Sequence, residues 1–401
     1  MSLKDEALNY HKHPKAGKLG VEITVDLLSQ KDLSLAYTPG VGDVCLEIAK
    51  NPNDAYIYTA KSNLVAVITN GTAVLGLGDI GPLASKPVME GKAVLFKKFA
   101  DIDSFDIEID DKSVDGFCEV VEKIAGTFGA INLEDIKAPE CFEIEQRLIK
   151  TLNIPIMHDD QHGTAIVTSA AMLNACELIG KNPQDLKVVV VGAGAAAISC
   201  ANIYKEFGVK NIIVLDSKGV ITHKREDINK YKKTLAIDEQ MSIEEAFSGA
   251  DMVLGLSGAG KIKPEWIELM CDEPIIFALA NPTPEIMPEV VQELKPKAII
   301  ATGRSDYPNQ VNNALAFPYI FRGALDARAK VINTKMKKAA AIALAKMAKE
   351  PMPLDVQKAY NLKEPLIFSK EYILPKPLNP RLLEVISSAV RDAAIKSGAT
   401  N

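Results

Sequence analysis

The chain has 401 residues, 47% of them hydrophobic and 24% charged, with a net charge of −6 at pH 7. This is ordinary globular composition, enough for two or three domains at roughly 100–200 residues each. The acidic balance argues against nucleic acid as a partner. No uncharged apolar run approaches the roughly 18–20 residues that cross a bilayer, so no membrane association is expected. Residues 1–19 carry no signal or transit pattern. The six cysteines (45, 118, 141, 176, 200 and 271) form no CxxC pair and sit mostly among apolar neighbours. They are expected as free thiols in a reducing, cytoplasmic compartment.

In chain order, the first elements read as an α/β domain with a mixed sheet. The runs Leu64–Thr69 and 72–77 flank Asn70-Gly71, a two-residue hairpin signal. Residues 93–96, 105–109, Ala130–Leu133 and 154–157 are further strand candidates, and 163–180 reads as a connecting helix. A second block follows. Strands at Lys187–Val191, 211–215, 251–255, 275–280 and 298–302 alternate with helical patterns such as 242–248 and Pro288–Leu294. That alternation predicts a Rossmann-type, doubly wound parallel sheet. Beyond about residue 312 the chain turns helical, at 334–349 and 380–397, and is expected to pack back onto the first domain. The expected division is 1–159, 160–312 and 313–401.

Gly192-x-Gly194-x-x-Ala197 lies between the strand Lys187–Val191 and a helical stretch. The first glycine permits a tight turn, the second lets backbone approach a pyrophosphate, and the small third residue lets helix and strand pack closely. The helix N-terminus supplies free N–H groups and a positive dipole end. Asp216 ends the next strand at the spacing of a ribose-binding carboxylate, which favours NAD. Lys218 stands close enough to meet a 2′-phosphate, which favours NADP, and the choice stays open. Asn281, held in a loop by Pro282 and Pro284, and Arg304 follow later strands on the ligand-binding side of such a sheet.

Two acidic pairs follow strand candidates in the first block: Glu134-Asp135 and Asp159-Asp160. Four carboxylates converging on one point repel unless protons or a cation neutralise them. An all-oxygen donor set suits Mg²⁺ or Mn²⁺. His158 and His162 flank the second pair and read as supporting or core residues rather than ligands.

Taken together, YTPG at 37–40, NGTAVLGLGDIG at 70–81, PVMEGKAVLF at 87–96, NLEDI at 132–136, HDDQHGTA at 158–165, the Gly192 fingerprint, ANPTPEI at 280–286 and ATGRSDYPNQVNN at 301–313 resemble the malic enzymes, in particular their short bacterial branch. The resemblance spans roughly three hundred residues in order. It implies oxidative decarboxylation of malate to pyruvate and CO2 with NAD or NADP, a divalent cation and a homo-oligomer, at least a dimer. It assigns Glu134, Asp135 and Asp160 to the metal, Lys92 to proton abstraction, Tyr37 to enol protonation, and Asn281 and Asn313 to the substrate side. Asp159 becomes a hydrogen-bonded neighbour. Large malic enzymes carry an arginine beside the glycine of the NG turn, where this chain has Thr72-Ala73. The group gripping malate's distal carboxylate is therefore open, with Lys61, Lys97 and Arg304 as candidates. Two other readings stand beside this one: a metal-assisted 2-hydroxy acid dehydrogenase that does not decarboxylate, and a catalytically silent nucleotide-binding regulator.

Overall fold

A computed structural model describes residues 2–400. Ten strands form two sheets. The first contains β1 (Leu64–Thr69), β2 (Asp103–Glu108), β3 (Ala130–Leu133) and β4 (Ile156–His158) in the order β2-β1-β3-β4. Every pairing in it is parallel. The second contains β5 (Lys187–Val191), β6 (Asn211–Asp216), β7 (Gly219–Val220), β8 (Met252–Gly255), β9 (Ile275–Ala278) and β10 (Ile299–Thr302). Its order is β10-β9-β8-β5-β6-β7, parallel except for the short β6–β7 pair. The α/β class with a Rossmann-type sheet holds. The antiparallel pairing expected in the first sheet occurs instead at the edge of the second.

The hairpin at Asn70-Gly71 does not form. Gly71 adopts the positive φ that the signal demands, but residues 72–77 leave the sheet as a loop. That loop is closed by Gly81 N–H on Gly71 O at 3.0 Å. The reason is topological: β1 is already flanked by β2 and β3, so no edge is free for a returning strand. Residues 93–96 are likewise helical, inside Pro82–Ala100. The buried positions Ser85, Met89, Ala93, Phe96 and Ala100 repeat every three or four residues, and this longer period overrides the short apolar run.

Strands β1, β3 and β5 are buried along nearly their whole length, as parallel strands covered on both faces must be. The helix Asp159–Ile179 runs from the end of β4 toward the second sheet and has fourteen buried residues. The C-terminal helices close around it. Asn174 donates to Ala345 O and Ile373 O at 2.8 Å each. The rings of Phe317 and Phe321 lie edge-on to Phe96, with centroids at 4.8 and 5.3 Å. Arg322 donates to Asn63 at 2.6 Å.

The opening segment differs from the rest. Helices Leu3–Lys12, Gln30–Ala36 and Val41–Lys50 contain no buried residue. Leu3, Val21, Ile23, Leu28, Leu35 and Leu46 are all exposed large hydrophobics. Among the described residues no helix is long and apolar enough to cross a membrane, and the six cysteines are free.

Candidate active site

Parallel strands present their carboxyl ends on one side of a sheet, and loops leaving that side collect functional groups. At the end of β3 the chain delivers Glu134 and Asp135, and at the end of β4 it delivers Asp159 and Asp160. One ligand oxygen from each of Glu134, Asp135 and Asp160 lies within 4.8 Å of the others. Asp135 holds φ 54°, an uncommon conformation for a residue with a side chain. It is kept there from both sides: its N–H donates to Asp160 Oδ2 at 2.8 Å, and its carbonyl accepts from Ala73 N–H at 2.9 Å. The loop misread as a strand thus clamps the acidic turn. Lys137 N–H on Thr72 Oγ1 at 3.0 Å adds to the same clamp.

Lys92 projects from Pro82–Ala100 into this group. Its Nζ lies 2.6 Å from Asp159 Oδ2 and 2.8 Å from Glu134 Oε1, and 4.1 Å from the centroid of the Phe317 ring. Burial pulls the ammonium toward deprotonation, but the charges of Asp159 and Glu134 outweigh burial and hold its pKa above the usual lysine value. Burial first, then the neighbouring carboxylates, raises Glu134 well above its ordinary range and lifts Asp135 to about 8. Four carboxylates face one ammonium, and Asp135 Oδ2 and Asp159 Oδ1 are buried without a hydrogen-bond partner. Orphaned buried oxygens on hard, anionic ligands fit a divalent cation of the Mg²⁺ or Mn²⁺ type.

Asn313 meets this cluster directly: its Nδ2 donates to Asp159 Oδ2 at 3.2 Å, and its Oδ1 accepts from Thr164. Asp159, expected as a hydrogen-bonded neighbour, is fully buried and is the closest partner of Lys92. Asn281 borders the loop that follows β1. Its carbonyl lies so near Gly76 that a Cβ there would approach to 3.1 Å. Arg304 is turned outward, with Nε on Asp306 at 2.9 Å and Nη1 on Pro282 O at 3.4 Å, and it makes no contact with the acidic group. Lys61 and Lys97 are ruled out as carboxylate grips by position. Lys61 precedes β1 and binds Gly126 O and Phe128 O, while Lys97 binds Asp101 and Asp103 at the start of β2. Both therefore sit at the amino ends of the strands, opposite the carboxylates. Tyr37, at the C-cap of Gln30–Ala36, is 70% exposed. It touches none of the other site residues by a hydrogen bond or ring contact among the described residues.

Two supporting carboxylates escaped the sequence reading. Glu145 accepts from His158 N–H at 2.8 Å and pairs with His162 Nε2 at 3.0 Å. His162 in turn meets Ser199 Oγ at 3.2 Å. Burial opposes ionisation of Glu145, yet His162 and Lys337 hold its pKa down at about 2. The network ties the turn carrying Asp160 to the helix Ala195–Glu206 of the second sheet. Its signal was present: Glu145 interrupts the buried stripe of Cys141, Phe142, Ile144 and Leu148. Glu285, fully buried, accepts from Ser257 N–H at 2.8 Å and Ala280 N–H at 2.9 Å, which joins the loops after β8 and β9.

On the second sheet, β5 ends at Val191 and Gly192 follows it, between β6 on one side and β8 on the other, where strand order reverses. Gly192 has φ 124°, and a Cβ there would meet Leu256 O at 2.3 Å. Only glycine fits. Gly194 is the N-cap of Ala195–Glu206 and provides no side-chain cap, which leaves the first amides free. Ala197 is fully buried in the packing of this helix. Asp216 ends β6, and Arg225 and Lys232 bind its carboxylate.

Comparison with known proteins agrees with this arrangement. The model for the malic enzyme N-terminal domain matches residues 16–114 and 111–149, and that for the malic enzyme NAD-binding domain matches 161–359. The NADP-dependent malic enzyme of Halomonas elongata is 54% identical over 398 residues, covering 98% of this chain and 94% of that protein. The NAD-dependent malic enzyme of Rhizobium meliloti is 53% identical over 401 residues, covering 99% of this chain and 52% of that protein. The chain thus spans about half the length of several curated relatives it matches. The crystal structure of malic enzyme from Pyrococcus horikoshii superposes with a TM-score of 0.91 at 43% identity, covering 100% of this chain and 92% of that one. Motifs, fold and whole-chain similarity converge, and the chain belongs to the malic enzyme family.

Proposed function

We propose that the chain oxidises malate with NAD(P)⁺ and decarboxylates the product, releasing pyruvate, CO2 and NAD(P)H. The observation that carries this is the cluster of Glu134, Asp135 and Asp160 around a buried lysine, tied through His162 and Ser199 to the fingerprint helix. Residues 1–159 supply the metal and substrate side, 160–312 the dinucleotide side, and 313–401 the helices that brace the first part. Mg²⁺ or Mn²⁺ held by Glu134, Asp135 and Asp160 would supply positive charge that acidifies malate's C2 hydroxyl and stabilises enolate oxygen.

The remaining work falls to side chains. Lys92 would accept the hydroxyl proton as hydride leaves C2 for the nicotinamide, in the neutral form it takes once a bound cation offsets the charges of Glu134 and Asp159. Asp159 holds the Lys92 side chain in line, and Asn313 in turn fixes Asp159. The C3–C4 bond of the resulting oxaloacetate then breaks, CO2 departs, and its electron pair remains as enolate. Tyr37 returns a proton to C3 and pyruvate results. Asn281 and Asn313 line the substrate side, with Arg304 as the cation nearest the Asn281 loop. Gly192, Gly194 and Ala197 seat the pyrophosphate.

A homo-oligomer, at least a dimer, accounts for the opening segment. Three helices without a buried residue and a run of exposed Leu, Ile and Val side chains are not kept in water by a lone chain. A second copy that covered them would also border Tyr37, which caps the helix Gln30–Ala36. The free thiols support a cytoplasmic setting. The test is a spectrophotometric assay with malate, Mn²⁺ and either NAD⁺ or NADP⁺, run beside CO2 detection. Reduced cofactor with equimolar CO2 is expected. Reduction without CO2 would convert the reading to a simple 2-hydroxy acid dehydrogenase.

A further inference from the structure

The two halves of the site meet where the loop after β1 touches the loop after β9. The first loop is a closed peg. Val74 is fully buried, its N–H donates to Gly78 O at 2.9 Å, and Leu77 N–H donates to Val74 O at 2.9 Å. The tip is Leu75-Gly76-Leu77, and both leucines turn outward, 71% and 69% exposed. Leu75 holds φ 49°, and its N–H is directed at the Asp135 carboxylate. With Ala73 N–H on Asp135 O at 2.9 Å, the peg is fastened to the turn that carries the metal ligands.

The opposing loop has no room to retreat. Asn281 Nδ2 lies so close to Gly303 that a Cβ there would meet it at 2.5 Å. One residue earlier, Ala280 N–H donates to the buried Glu285 carboxylate at 2.9 Å. Between these two fixed pieces lies the bare Cα of Gly76. A methyl group on it would come to 3.1 Å from Asn281 O and 4.0 Å from Pro282 Cδ. The first of these is closer than ordinary packing, and relieving it moves the two loops apart by a few tenths of an ångström. Gly76 is not among the glycines of positive φ, so its backbone accepts an alanine and the obstacle is the neighbour.

We propose that Gly76 is a positioning residue, a spacer whose missing side chain sets how near the metal-held substrate comes to the nicotinamide. Its kinetic consequence rests on the malate reading above, but the separation itself can be measured without any reaction. Hydride transfer needs near-attack contact, and a displacement of about 1 Å costs about a hundredfold. Decarboxylation of oxaloacetate uses the metal side alone and does not depend on that spacing.

The full chain is titrated with NAD⁺ and with NADP⁺ in the presence of Mn²⁺, with Mg²⁺ as the diamagnetic blank and no malate. Bound Mn²⁺ speeds the relaxation of protons close to it, so the nicotinamide ring protons report the separation. The enhancement should fall about 1.5-fold in Gly76→Ala and further in Gly76→Val, while Mn²⁺ and 5′-AMP affinities stay within twofold. Malate oxidation by Gly76→Ala should lose roughly tenfold in kcat with KM for malate within twofold, and oxaloacetate decarboxylation should stay within twofold. Leu77→Ala, which trims the same tip without adding bulk, should match the native chain throughout. Equal enhancement in the native and Gly76→Val chains overturns the proposal. A parallel loss of Mn²⁺ binding or of oxaloacetate decarboxylation also overturns it, because the defect then lies in the metal turn. An equal loss in Leu77→Ala does the same by placing the defect in the folding of the loop. No enhancement in the native chain overturns the shared site and the proposal together. A native enhancement that Gly76→Ala weakens, in a chain that oxidises no malate, leaves the spacer in place and removes the reaction.

Discussion

The carboxyl ends of the two sheets handle charge in opposite ways. On the first sheet, four carboxylates meet one ammonium, and two of their oxygens are buried without partners. On the second, Asp216 has every acceptor site filled by fixed donors. Burying unbalanced charge costs several kcal/mol per ion unless something compensates it. The first corner is therefore built around a positive charge that arrives with a bound species, while the second carries its own surplus of cations. The lesson is that unsatisfied groups mark where chemistry is completed by a ligand, and saturated groups mark what has been withdrawn from binding.

This contrast can be broken at several points. Asp135→Ala should abolish turnover, by about three orders of magnitude or more, together with stabilisation by Mn²⁺. For the native chain that stabilisation should amount to about 2.7 kcal/mol at a hundredfold excess over Kd. Thermal melts with and without Mn²⁺ measure it, and a variant still stabilised would show that the cation sits elsewhere. Lys92→Ala should lower kcat by about 10²–10⁴ while 5′-AMP affinity stays unchanged; retained turnover would remove Lys92 as the base.

Glu145 sharpens the contrast as a buried carboxylate that is fully paired. Its folded pKa of about 2 lies below the ordinary 4.5. Its ionised form therefore adds stability above pH 4.5, lost as pH falls toward 2. Glu145→Gln should flatten the stability curve across that window. Urea unfolding at a series of pH values follows the change, and parallel curves for the two proteins would contradict it. The smallest effect on fold is expected at Leu28, 87% exposed. Leu28→Glu should alter the stability of a lone chain by no more than about 0.5 kcal/mol yet shift sedimentation toward smaller species. Unchanged sedimentation would mean that this face is not an interface between copies.

Much of the fold was legible. β3 and β5 have the residue limits read from their apolar runs, and Pro288–Leu294 is helical as its pattern predicted. The failures share one cause. At Asn70-Gly71 the local turn chemistry was right, but neighbours far along the chain had already occupied both edges of β1. At 93–96 a four-residue window could not reveal a nineteen-residue helix. The acidic pairs were legible because adjacent carboxylates after strands are unusual. Glu145 and Glu285 were passed over because each is a single acidic residue whose partners lie elsewhere in the chain, the His158 amide and the His162 ring for one and two loop amides for the other.

The strand–helix alternation of the second block, the glycine turn at Gly192 and the identity of the four acidic residues follow from the sequence alone, because each depends on residues within one or two turns of chain. Only the tertiary structure decided that Lys92 meets Asp159 and Glu134, that Lys61 and Lys97 sit at the wrong ends of their strands, and that Asp216 is saturated. Those outcomes depend on donors and acceptors brought together from distant segments. A side chain's remaining capacity to bind is what its neighbours in space leave over, and no local pattern records it.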